Sequence, residues 1–198
     1  GETISSPTVS LEAMTGTLAI DANEDRDVAI FDVPGAYVQA EMPKEKKLLM
    51  KLRGQFVDIM CEVNEEYKQY VVYERGEKVL YLQVLQAIYG CIESALLWYM
   101  LYATTLQGMG YEINPYDKCV ANRFINEKQC TITWYVDDNK ISHVEENVIT
   151  SELEAITEHF GDLDISRGDE DDLLGMHIVM NRKEKRPMSI KEVFLCFS

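Results

Sequence analysis

Apolar residues recur along this chain in two periods, and the alternation between them predicts its elements. Ser6-Pro7 opens a helical stretch that runs through Val9, Leu11, Met14, Leu18 and Ala19, closed by the polar run from Asp21 to Asp25. Asp27–Asp32 (DVAIFD) is a short apolar strand, stopped by Val33-Pro34-Gly35. Leu48–Leu52 is a second strand, followed by an amphipathic piece from Gln55 to Val63. Tyr70–Tyr73 and Val79–Gln83 flank a polar run, which signals a hairpin. From Glu93 to Gln107 the positions Leu97, Met100, Leu101 and Thr104 fall on one helical face, and Gly108 and Gly110 end it. Val120–Ile125 and Cys130–Val136 are strands joined by Asn126-Glu127-Lys128-Gln129, and Asn139–His143 follows after only Asp137-Asp138. Glu146–Phe160 carries a stripe of Val148, Ile149, Leu153, Ile156 and Phe160, with Gly161 as its stop, and Leu173–Met180 is the last strand.

Set aside the stretch from Leu48 to Gln83, and the order is strand, helix, two strands meeting in a hairpin, helix, strand. That order predicts an α+β fold of βαββαβ type, an antiparallel sheet with helices on one face. Residues 1–198 form a single unit, with about 41–86 as an insertion, because no repeat, linker or low-complexity tract divides them.

Composition narrows the function classes. Apolar residues at 46% and charged residues at 27% are globular values and argue against disorder. No apolar run approaches the length of a membrane span, so no membrane partner is expected. The start is polar and unlike a secretory signal, and the five cysteines are odd in number and scattered. Both point to a cytoplasmic, reducing setting, not a secreted one. The net charge of −15 argues against holding nucleic acid by bulk electrostatics. Eleven acidic residues and only Arg167 as a base lie between Glu145 and Asp172, which reads as a solvated face. Between Arg182 and Lys191 the balance reverses to five bases. Asp162-x-Asp164-x-Ser166 starts like a calcium loop but has Arg167 where the loop needs glycine. His143, His159 and His177 lack zinc-ligand spacing.

Two acidic positions stand apart from this background. Asp32 ends an apolar strand, and Asp137-Asp138 sit at the turn of an apolar hairpin. In the sheet just described the two strand ends lie side by side, so the carboxylates converge although far apart in the chain. Converging carboxylates repel unless a cation lies between them, and hard oxygen ligands of this kind suit Mg²⁺ completed by phosphates. The alternative is that Asp-Asp is simply a good turn. Pattern alone favours the turn.

The wording around these residues adds a resemblance. Tyr135-Val136-Asp137-Asp138 resembles the catalytic box of reverse transcriptases, and Phe31-Asp32-Val33-Pro34-Gly35-Ala36-Tyr37 resembles the box of the first catalytic aspartate. Ile88-Tyr89-Gly90-Cys91-Ile92-Glu93-Ser94, continuing to Trp98-Tyr99, resembles a box of copia-type retrotransposons. Ser6-Pro7-Thr8-Val9, Asn114-Pro115-Tyr116-Asp117-Lys118-Cys119 and Leu174-Gly175-Met176 complete six boxes in the family's order. The chain thus resembles the reverse transcriptase core of a copia-like polyprotein.

The resemblance implies a palm fold with part of the fingers, and an RNA-directed DNA polymerase using two Mg²⁺ ions, with Mn²⁺ as a substitute. Asp32 and Asp137 would bridge the metals with Asp138 assisting, and Val33 would add a main-chain ligand. Free amides of Val33, Gly35 and Ala36 would cradle the triphosphate, and Tyr37 would select the deoxyribose. Tyr135, Val136, Tyr89, Gly90, Glu93, Ser94 and Trp98 would support the boxes, with Trp98 a core residue. Implied partners are an RNA template, a DNA primer, dNTPs and the rest of a polyprotein: further fingers, thumb, ribonuclease H and integrase, which are expected outside this stretch. The implied location is a cytoplasmic virus-like particle. Glu93 and Leu96 depart from the family's usual glutamine and basic residue. The rival expectation is a non-catalytic remnant serving as an acidic interaction domain.

Overall fold

In a computed structural model the described residues are 6–45, 47–168, 170–174 and 176–179. Helix α1 (Leu11–Asn23) leads into β1 (Asp27–Asp32) and the four-residue α2 (Ala36–Gln39). Strand β2 (Leu48–Arg53), α3 (Gln55–Val63), a 3-10 turn at Glu65–Tyr70, β3 (Val72–Glu74) and β4 (Glu77–Val84) follow. Then come α4 (Ser94–Gly108), β5 (Glu112–Ile113), β6 (Val120–Ile125), β7 (Lys128–Tyr135), β8 (Asp138–His143) and α5 (Glu146–Phe160). Three short strands end the described chain: β9 (Asp164–Ser166), β10 (Glu170–Leu173) and β11 (Met176–Val179).

The main sheet has the order β5-β6-β7-β8-β1-β9, antiparallel throughout. This is the expected arrangement: β1 lies against the hairpin β7–β8, and two long helices connect the strands. Side chains alternate between sheet faces. One face carries Phe31, Ile132, Trp134 and Ile141, all buried, and receives α4 and α5. Trp98, Tyr102, Trp134 and Phe160 meet there in edge and tilted ring contacts with centroids 5.2–5.4 Å apart. Such pairs add to the area these rings bury.

The opposite face carries Thr131, Thr133, Lys140 and Ser142, and α1 lies on it. Asp21 of α1 accepts hydrogen bonds from the Lys140 ammonium and from Ser142 Oγ (2.5 Å), and Arg26 stands 3.9 Å away. All of these side chains are buried. Paired charges are the only ones such a setting tolerates. The box at residues 114–119 anchors the start of the same helix: Asp117 accepts from the amides of Ser10 (2.8 Å) and Cys119 (2.9 Å).

Residues 48–84 form a separate three-stranded sheet, order β2-β4-β3, backed by α3. It falls within the expected insertion. Two expectations need correction. The segment 173–180 is not one strand: among the described residues, β10 and β11 form a hairpin of their own, and Leu174 turns it at φ 56°. On the side away from β8, β1 is flanked by β9, so part of the acidic stretch expected to be a solvated face is a strand of the main sheet. Lys128 and Gln129 belong to β7, because Asn126 and Glu127 both adopt positive φ and close a two-residue turn. The basic stretch 182–191 lies outside the described residues.

Candidate active site

The register of β1 fixes the geometry of the acidic cluster. Asp32 pairs directly with Asp138 on β8 and, on its other side, with Asp164 on β9. Residues paired across antiparallel strands project to the same face. The three carboxylates therefore stand in a row on the face that carries α1, at the sheet end beyond that helix, and Asp137 adjoins them in the β7–β8 turn. Asp32 is half-buried; Asp138 and Asp164 are exposed.

Electrostatics at this end are one-sided. Burial first, then the charges of Asp137, Asp138 and Asp164, raise the Asp32 pKa above the ordinary carboxylate value. Asp138 is raised by the protein that keeps water from part of it, and then by Asp137. Among the described residues no lysine, arginine or histidine is ion-paired with any of the four. Arg167, the one base in the acidic stretch, is engaged instead with Asp27 at 3.0 Å.

Aromatic side chains wall the site. Tyr37 and Tyr89 are in ring contact, centroids 4.6 Å apart and tilted by 54°. Tyr37 is raised in pKa by burial, then by Asp137 and Tyr135. Tyr89 is raised by burial and then by the charge of Asp137, with smaller contributions from Tyr37 and Asp32. Tyr135, at the end of β7, is partly exposed.

The loop after Asp32 departs from one expectation. The Val33 amide is not free: it donates to the Asp137 carbonyl at 3.3 Å, and Val33 is fully buried. That bond ties the two aspartate loops together and withdraws one amide from ligand binding. Gly35 adopts φ 63° at the N-cap of α2, a conformation that favours glycine. The amides of Gly35, Ala36 and Tyr37 open that short helix, where amides lack an intrahelical acceptor.

Two side chains of α4 serve the loops in front of it. Ser94 Oγ accepts from the Ile88 amide (3.0 Å) and donates to the Ile88 carbonyl (2.6 Å), fastening the segment with Tyr89 and Gly90. Gly90 has φ 85°. Trp98, 1% exposed, is the core residue expected, and its indole Nε1–H donates to the Val136 carbonyl at 2.6 Å. Glu93 stands at the N-cap position of α4.

Sequence reasoning did not place Asp164 with this cluster: it stood out only as part of a calcium-loop pattern that fails at Arg167. It also missed Asn139, whose amide donates to the Asp137 carbonyl from a fully buried position. His143 is satisfied by backbone: Nδ1 accepts from the Glu145 amide at 3.0 Å, and Nε2 faces the Ile125 carbonyl at 3.3 Å. Among the described residues no three or more His, Cys, Asp or Glu side chains converge to hold a metal ion. The donor set fits a hard divalent cation, since these carboxylates are crowded and uncompensated.

A family model described as reverse transcriptase (RNA-dependent DNA polymerase) matches residues 2–186. A comparison with curated proteins finds no match. Among solved structures, apo telomerase from Candida tropicalis, truncated from its C-terminal domain, is similar at TM-score 0.46 and 8% identity, covering 86% of this chain and 39% of that one. Telomerase from Candida albicans in complex with a fragment of telomeric RNA is similar at TM-score 0.48 and 11% identity, covering 92% of this chain and 36% of that one. The chain spans less than half the length of either.

Proposed function

This chain belongs to the reverse transcriptase (RNA-dependent DNA polymerase) family, and we propose that it is the polymerase core of a copia-like element, extending a DNA primer on an RNA template. One observation carries this reading. Asp32 stands in register between Asp138 and Asp164, beside Asp137, with no cation among the described residues to balance them.

Asp32 and Asp137 would hold the metal ions, with Asp138 assisting and the Val33 carbonyl as a main-chain donor. Two Mg²⁺ ions, or Mn²⁺ in their place, would when bound activate the primer 3′-hydroxyl and stabilise the leaving pyrophosphate. The amides of Gly35 and Ala36 would receive the triphosphate, in the way successive main-chain amides receive anions. Tyr37, braced by Tyr89, would close the space beside the sugar 2′ position and exclude ribonucleotides. The partners of this reading are the template, the primer, dNTPs and the thumb, ribonuclease H and integrase of a polyprotein, in a cytoplasmic particle. A chain of net charge −15 would leave the grip on duplex to those other parts.

Primer extension on an RNA template tests the proposal. Activity should require Mg²⁺ or Mn²⁺, vanish in Asp32→Asn and Asp137→Asn, and admit ribonucleotides in Tyr37→Ala. Extension that persists in both aspartate variants would overturn it. No extension by the wild type under any metal would favour the non-catalytic remnant.

A further inference from the structure

The turn that presents Asp137 is strained. Tyr135 pairs with Asp138, so Val136 and Asp137 are the two central residues of a tight hairpin, and Val136 adopts φ 59°. Both two-residue hairpin turns require positive φ at the first central position, which favours glycine. A β-branched residue there is an outlier that persists only where its surroundings hold it.

Those surroundings are identifiable. The Asp137 carbonyl accepts from the Val33 amide and from Asn139, but among the described residues the Val136 carbonyl is held by a side chain alone, the Trp98 indole at 2.6 Å. Trp98 lies one helical turn beyond Ser94, which fastens Ile88 beside Tyr89. Residues four apart share a helix face. One face of α4 thus grips both loops that bear on Asp137, the hairpin turn through Trp98 and the Tyr89 loop through Ser94.

We propose that Trp98 is a positioning residue: its indole N–H holds the Val136 carbonyl, keeps the turn in its left-handed conformation and so aims the Asp137 and Asp138 carboxylates. The inference rests on the polymerase reading for its catalytic consequence, but the hold itself does not.

A double-mutant cycle separates the hold from packing. Trp98→Phe removes the N–H and keeps most of the ring, and Val136→Gly removes the strain. Trp98→Phe should lower kcat for primer extension by about tenfold or more, since misplacement of reacting groups costs rate steeply, with dNTP KM little changed. In the Val136→Gly background the same change should cost less than about twofold, because glycine takes positive φ unaided. Urea melts of the four proteins should show the same non-additivity, with Trp98→Phe destabilising less beside glycine. Equal losses in both backgrounds would overturn the proposal and leave Trp98 as packing. Coupling in the melts without any change in kcat would overturn the positioning role. A wild type without activity counts against the polymerase reading alone, since the melts still decide whether Trp98 holds the turn.

Discussion

The two sheets of this molecule are built on different terms. The six-stranded sheet is sandwiched between α1 on one face and α4 and α5 on the other. Trp98, Trp134, Tyr102, Phe31, Ile132 and Ile141 are all fully buried there. The three-stranded sheet at 48–84 has a small core of Val57, Cys61 and Leu80, while Leu49, Phe56, Val63 and Tyr73 are each more than half exposed. Its charged pairs, Lys51–Glu74, Lys78–Asp58 and Arg53–Glu77, lie at the surface, where such pairs add little. The acidic cluster sits wholly on the first sheet. Its geometry is therefore a property of the well-packed part, and the smaller sheet can vary without moving it.

The largest effect should come from the main core. Trp134→Ala should cost about 3–5 kcal/mol by cavity formation and shift the urea transition of the whole molecule. Leu80→Ala is the matched change in the smaller sheet. It should accelerate amide exchange across 48–84 while β1, β7 and β8 stay protected. If Leu80→Ala also exposes β1 and β8, the two sheets unfold as one and the comparison breaks.

Next is the buried network beneath the hairpin. Asp21→Ala leaves Lys140 buried without its carboxylate and should cost about 3–5 kcal/mol. Adding Lys140→Met should recover much of that loss in the same melts. A loss no larger than for a surface aspartate would show that α1 is not fastened to the sheet through this pair.

Much of this was legible in the residues. The bounds of β1, α3 and α5 follow directly from apolar period and stops, because DVAIFD, the 55–63 amphipathic piece and the stripe ending at Gly161 each bury a definite face. The convergence of Asp32 and Asp138 followed from the same order of elements. β9 was hidden because three residues carry no period, and Asp164 looks like its acidic neighbours. β10, as Glu-Asp-Asp-Leu, has little strand propensity and reads as loop. The Val33 amide bond, the Asn139 bond and the positive φ of Val136 depend on tertiary placement, which no local pattern reports.

A smaller effect distinguishes the acidic end from the rest of its own sheet. With metal removed by chelator, Asp138→Asn should modestly raise stability at neutral pH. The folded-state pKa of Asp138 lies above its ordinary value of 3.8, so the folded state binds more protons in that window. Stability from this group then falls as pH rises through the raised pKa, and the advantage of Asn fades as pH drops toward 3.8. A loss of stability at neutral pH would mark Asp138 as a structural turn residue. The smallest effect should be at the surface of the minor sheet: Lys78→Ala breaks the pair with Asp58 and should leave the melting transition unmoved.

The central claim is that Asp32 and Asp137 are poised together for a divalent cation shared with a triphosphate. Electron paramagnetic resonance of Mn²⁺ titrated with the protein and a deoxynucleoside triphosphate tests it directly. The wild type should broaden and deplete the free Mn²⁺ signal beyond the effect of the triphosphate alone, and Asp32→Asn and Asp137→Asn should each abolish the excess. Undiminished uptake by both variants, or none by the wild type, would contradict the account.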